Sequence, residues 1–210
     1  MKMQEVEQLL NATGKHTECR DGRLMTVPLQ QENYYLLLEG DGGEWVYCLA
    51  VQDRTNQPYM ENVEVFSTVE EGSRFFFLKQ LAEQSFEQMV VAFSLENKDL
   101  NIGAQTFNKQ QLEQAFSTLG MPAGIFYDDE KPNGRGIVLE KSEGDYVVSF
   151  YGRDGQKVHS TLPVTLDLAC FFAFQQTCLL YLFEKAVPDL LKRENIDVTF
   201  TDEDVKHFIF

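Results

Sequence analysis

The chain has 210 residues and a formal net charge of -15 at pH 7. An acidic surface repels nucleic acid and anionic membrane, so neither is an expected partner. At 43% hydrophobic, with 17 Phe and 8 Tyr, the composition supports a real core and excludes a disordered chain.

In chain order, the first expected element is a helix over residues 4–13, where Val6, Leu9 and Leu10 recur at helical spacing and Gly14 supplies a stop. A strand is expected over 24–29 and another over 34–39. A GDGG turn and a hairpin partner over 45–51 follow. In that partner Trp45, Tyr47, Leu49 and Val51 share one face, and Val46, Cys48 and Ala50 the other. Both faces are apolar, which predicts a strand covered on both sides. Phe75, Leu78, Ala82, Phe86 and Met89 predict a helix over 73–90. Two short strands, 90–95 and 100–106, are expected around an Asn-Lys-Asp turn, then a helix over 109–119 closed by Gly120 and Pro122. The second half predicts strands over 124–127, 136–140 and 146–151, a long helix over 166–187, and a strand over 196–200. Thr201 and Asp204 form a helix cap.

The chain also contains itself twice. VEQLLNATG at 6–14 recurs as LEQAFSTLG at 112–120. Leu38, Glu39, Gly43, Trp45 and Val46 have counterparts in Leu139, Glu140, Gly144, Tyr146 and Val147. Phe75, Phe76, Phe86, Glu87 and Val90 are answered by Phe171, Phe172, Phe183, Glu184 and Val187. The order is the same, and the offset falls from 106 to 101 to 96–97 residues, as shortening loops would produce. The expected fold is α+β: two related helix–antiparallel sheet–helix units packed together, the first over 1–108 and the second over 109–210.

No catalytic motif accompanies this architecture. There is no G-x-S-x-G and no phosphate-cradling loop, and Gly134-Arg135-Gly136 reads as a turn. His159 and Ser160 adjoin on one strand and so point apart. Asp128-Asp129-Glu130 precedes a Pro-Asn-Gly turn and reads as solvated. Asp202-Glu203-Asp204 suits a helix N-terminus, and the Asp41–Glu44 loop lacks a calcium-ligand pattern. Cys19, Cys48, Cys170 and Cys178 have no CxxC spacing, and three scattered histidines make no zinc site. The expectation is a non-enzymatic protein with no cofactor and no metal. The N-terminal MKMQEVEQLL lacks an apolar core and a cleavage site, so a cytoplasmic location is expected. The apolar stretch at 166–183 is interrupted by Asp167, Gln175, Gln176 and Thr177, and reads as a buried helix, not a membrane span.

Aromatic residues are the main binding candidates. Tyr34, Tyr35, Trp45 and Tyr47 cluster on one predicted hairpin, and Tyr146, Phe150 and Tyr151 on its equivalent. They fit a partner-binding surface, core packing, or contact between the two sheets. Phe172, Phe174, Leu179 and Tyr181 belong to a helix that is apolar nearly all round, which implies a central helix or an oligomer seam.

Helix, three strands, helix, two strands, helix is the order read over residues 4–119. In an acidic chain without a catalytic motif, that order resembles the class I chaperones of bacterial type III secretion (the Tir-chaperone type). It also resembles a sensory-transduction-regulator-like family of similar fold. The resemblance extends less well over 120–210. It implies a protein partner held extended along apolar patches and exposed strand edges. The family's members are shorter, single-unit dimers, so a homodimer is possible, or a pair built within one polypeptide. With no sharp motif, no residue role carries over. The alternative, from a different class, is an acidic immunity protein that neutralises a basic toxin domain by charge and shape.

Overall fold

The computed structural model describes residues 1–27, 33–51 and 59–210. The chain is α+β, and it divides into two compact units. One is Met1–Leu81 with Asp189–Thr199; the other is Ala82–Pro188 with Phe200–Phe210. The halves over 1–108 and 109–210 divide the sequence; these units divide its packing.

In the first unit, helix α1 (Met3–Ala12) starts where the Lys2 backbone N–H donates to the Glu5 carboxylate at 2.7 Å. It buries Val6, Leu9 and Leu10 and ends at Gly14, whose φ is +88°. Five strands follow: β1 (Thr17–Arg20), β2 (Arg23–Thr26), β3 (Tyr34–Glu39), β4 (Trp45–Val51) and β5 (Tyr59–Phe66). They form an antiparallel sheet in sequence order. Of the strand expected over 24–29, Leu24–Thr26 belongs to β2, and Pro28 and Leu29 lie outside the described residues. Helix α2 (Val69–Ser85) covers one sheet face: Tyr47 lies edge-on to Phe75 and Phe76 at 5.1 and 5.8 Å and accepts a hydrogen bond from Gln80. The segment Asp189–Thr199 joins this unit, and the Gln8 amide donates to the Glu194 carbonyl and carboxylate.

The strand expected over 90–95 is instead helix. A π-helical turn (Phe86–Val91) runs into α3 (Ala92–Glu96), and the 100–106 strand is absent too, replaced by the end of a 3-10 turn (Lys98–Leu100) and a loop. The β-branched pair Val90-Val91 favours a strand locally. But Val90 and Phe93 are buried three residues apart, a helical spacing, and extending an existing helix costs far less than starting a strand.

In the second unit, α4 (Lys109–Leu119) is capped reciprocally by Asn108 and Gln111 and closed by Gly120 at φ +64°. Its sheet holds β6 (Phe126–Asp128), β7 (Gly136–Ser142), β8 (Asp145–Tyr151) and β9 (Lys157–Ser160), in that order. An antiparallel sheet was expected, yet β6 pairs parallel with β7, so this sheet is mixed. The second unit has one strand fewer before β7, and residues 129–135 return the chain to enter β7 in the direction of β6. Helix α5 (Leu166–Arg193) runs on through Pro188, where the sequence predicts an end. A mid-helix proline costs about 3 kcal/mol, but Leu190 and Leu191 beyond it are buried. The expected strand over 196–200 is irregular chain. Helix α6 (Asp202–Ile209) follows with the expected Thr201–Asp204 cap.

The repeated segments fall on corresponding elements. The helices α1 and α4 match, and so do β3 with β7 and β4 with β8. Shifted by 97 residues, α2, the π turn and α3 coincide end to end with α5, and Val91 of the π turn falls on Pro188. The short helices share a pattern as well: Val6, Leu9, Leu10 in α1, Leu112, Ala115, Phe116 in α4, and Val205, Phe208, Ile209 in α6 are all buried at i, i+3, i+4.

Candidate partner-binding edge

Strand β5 is the last in its sheet, and among the described residues it pairs only with β4. Only Phe66 is half-buried, tilted against Phe75 at 5.0 Å. Met60, Val63 and Val65 are 52%, 50% and 60% exposed. Large apolar side chains on an open edge are what soluble proteins normally avoid, because the unpaired backbone invites another strand.

A bulge organises this edge. Tyr47 pairs with Glu64 and Leu49 with Glu61, so Asn62 and Val63 together oppose Cys48. Asn62 takes φ +52°, the left-handed conformation asparagine tolerates. In a regular strand, residues three apart point to opposite faces. Here the extra residue puts Glu61 and Glu64 on one face, that of Tyr47 and α2, while Met60 and Val65 share the face of Ala50 and Val46. Sequence reasoning missed β5 because Asn62 breaks its alternation; the Tyr-Met-Glu and Glu-Val-Phe triplets on either side were the available signal.

The aromatic candidates separate by burial. Tyr47, Phe150 and Tyr151 are buried, so the folded units do not present them to a partner. Tyr34 and Tyr35 on β3 and Trp45 on β4 are half-buried, with Tyr35 stacked on Tyr47 at 5.7 Å. Tyr146 is half-buried beneath the Lys109 ammonium. Phe174 is fully buried among Phe93, Phe107 and Phe116, and Leu179 is buried as well. Phe172 and Tyr181 are half-buried, and the Lys185 ammonium donates to the Tyr181 hydroxyl. From Ala169 to Phe183 no α5 residue is exposed. This helix is long and apolar enough to cross a membrane, but 56% of its apolar window is buried inside the fold, as in a core helix.

A convergent polar cluster that sequence reasoning missed lies on β7, β8 and β9. Glu140 accepts from Ser149 at 2.5 Å, Tyr151 at 2.9 Å and Lys157 at 2.6 Å, and Ser149 contacts Ser160 at 2.8 Å. Burial pulls the Glu140 carboxyl up, but these hydrogen bonds and the Lys157 charge hold it below its ordinary value. Burial and Glu140 raise Tyr151, which keeps the phenol protonated and opposes its use as a base. The cluster therefore acts as a cross-strand clamp. Because the folded-state value of Glu140 is depressed, its stabilisation is present above the ordinary carboxylate range and is lost as pH falls through the lowered value. Glu140→Gln is expected to cost about 1–2 kcal/mol at neutral pH. The difference from the parent should close below about pH 4 in thermal melts; a gap independent of pH would exclude the charge.

Burial raises all four thiols above their ordinary value, with the Glu7 charge adding to it at Cys19. Burial pushes Cys170 up to about 11 and Cys178 up to about 12, and raises Cys48, so all three stay protonated. Among the described residues, no group of three or more His, Cys, Asp or Glu is placed to hold a metal ion. No protein-family model, curated protein or solved structure matches this chain, and no residue role is carried over from a relative.

Proposed function

We propose that this protein works by binding another protein, as a non-enzymatic, secretion-chaperone-like module that adds a strand of its partner to the edge of β5. The observation that supports this is the exposure of Met60, Val63 and Val65 on an open strand edge. Strand addition takes affinity from backbone hydrogen bonds and specificity from alternate side chains, and β5 offers both. The immunity-protein reading draws on the net charge of -15 and on Glu61 and Glu64 at the same edge. Salt separates the two, because a charge-steered complex weakens as ionic strength rises while apolar burial changes little.

The test is capture of partner from the source-cell extract by the parent, by Met60→Lys/Val65→Lys and by Trp45→Ala, with washes at low and high salt. Both β5 side chains are exposed, so the double variant should melt within about 2 °C of the parent and capture at least about tenfold less partner. Trp45→Ala is expected to weaken capture more than it lowers stability. A variant that melts early with capture unchanged would make Trp45 a core residue, and undiminished capture by the double variant would exclude β5.

A further inference from the structure

Resting on the strand-addition reading, we infer that the segment β5 receives is an extended strand in which cationic and apolar residues alternate. The bulge at Asn62 sets Glu61 and Glu64 next to each other on one face of β5, flanked by Tyr59 and Phe66 at the strand ends, and puts Met60 and Val65 on the opposite face. A strand laid along β5 inherits the same two faces, because paired residues share a face. Its side chains beside Glu61 and Glu64 gain most from Lys or Arg, and those beside Met60 and Val65 from Val, Ile or Leu. β5 itself carries no basic residue. The chain's net charge of -15 raises the local concentration of cationic segments in the same direction. A second copy of this chain is a poor occupant, since antiparallel β5–β5 pairing would set the two glutamates against their equivalents on one face and bring together two strongly acidic molecules.

Three short fluorescent peptides test this on the full chain. One alternates Lys and Val, one alternates Glu and Val, and one has the composition of the first with its Lys and Val in separate blocks. The Lys–Val alternating peptide is expected to bind at least about tenfold tighter than either of the others, with an advantage that shrinks at high salt. It should slow amide exchange across residues 59–66. Glu61→Lys/Glu64→Lys, both at exposed positions, should reverse the preference toward the Glu–Val peptide. Equal binding of the two alternating peptides with β5 protected would overturn the partner's charge pattern and leave strand addition standing. Equal binding of the block peptide would overturn the alternation. If no peptide slows exchange in β5, both the strand-addition reading and this inference fall.

Discussion

Phe174→Ala is expected to destabilise the second unit by about 3–5 kcal/mol, the largest effect of any single truncation proposed for this chain. Phe174 is fully buried, with the rings of Phe93, Phe107 and Phe116 at 5.7, 6.4 and 5.9 Å, so its removal opens a cavity that α3, α4 and the loop before α4 would have to close at once. The denaturant midpoint measures this, and a loss under about 1 kcal/mol would show that the helix is not the core of its unit. Phe174→Asp buries an unpaired charge and should give no soluble folded protein. Tyr181→Asp, at a half-buried position on the same helix, should remain soluble.

Arg135→Ala should cost about 2–3 kcal/mol and loosen α6. The Arg135 side chain is 6% exposed, donates to Asp202 at 2.6 Å and to Glu184, and lies over the Phe183 ring. Asp202, which opens α6, also accepts from the Arg153 backbone at 2.9 Å. Both carboxylates are partly solvated, which holds the effect below that of a fully buried pair. Amide exchange over residues 202–209 should accelerate in Arg135→Ala. Arg135→Lys should recover only part of the loss, because an ammonium cannot serve both carboxylates with the guanidinium's fork. Unchanged exchange in α6 would mean that burial of Val205, Phe208 and Ile209 alone holds the helix.

What could be read from the sequence follows from how local its cause is. Helices α1, α4 and α6 carry their caps and apolar triads within a dozen residues, and the hairpins β3–β4 and β7–β8 announce themselves by alternation and turn residues. The β1–β2 hairpin had an equally local signal, Asp21-Gly22 with both φ values positive, as a two-residue hairpin turn requires. β5 was hidden because its bulge is set against β4, not within itself. α3 was hidden because the β-branched pair Val90-Val91 that closes the π turn is overruled by burial of Val90 and Phe93. Among the candidate site residues, chain position placed the half-buried Trp45 and Tyr34, but the burial of Tyr47 and Phe150 depends on what packs over the sheets. Arg135 reads as the middle of a glycine turn, and its partners lie 49 and 67 residues away, beyond any local pattern. The glycines around it do have reasons: Gly134 sits at φ +126°, and a Cβ on Gly136 would come within 2.7 Å of the Tyr127 ring.

The first unit takes its last eleven residues, Asp189–Thr199, from near the other end of the chain. During synthesis, domains generally complete in order as they leave the ribosome. Here the first unit stays unfinished until residue 199 has been translated, after most of the second unit has emerged. Nascent chains halted before residue 189 should therefore be protease-sensitive in both units, and the β5 edge would be exposed while still on an incomplete scaffold.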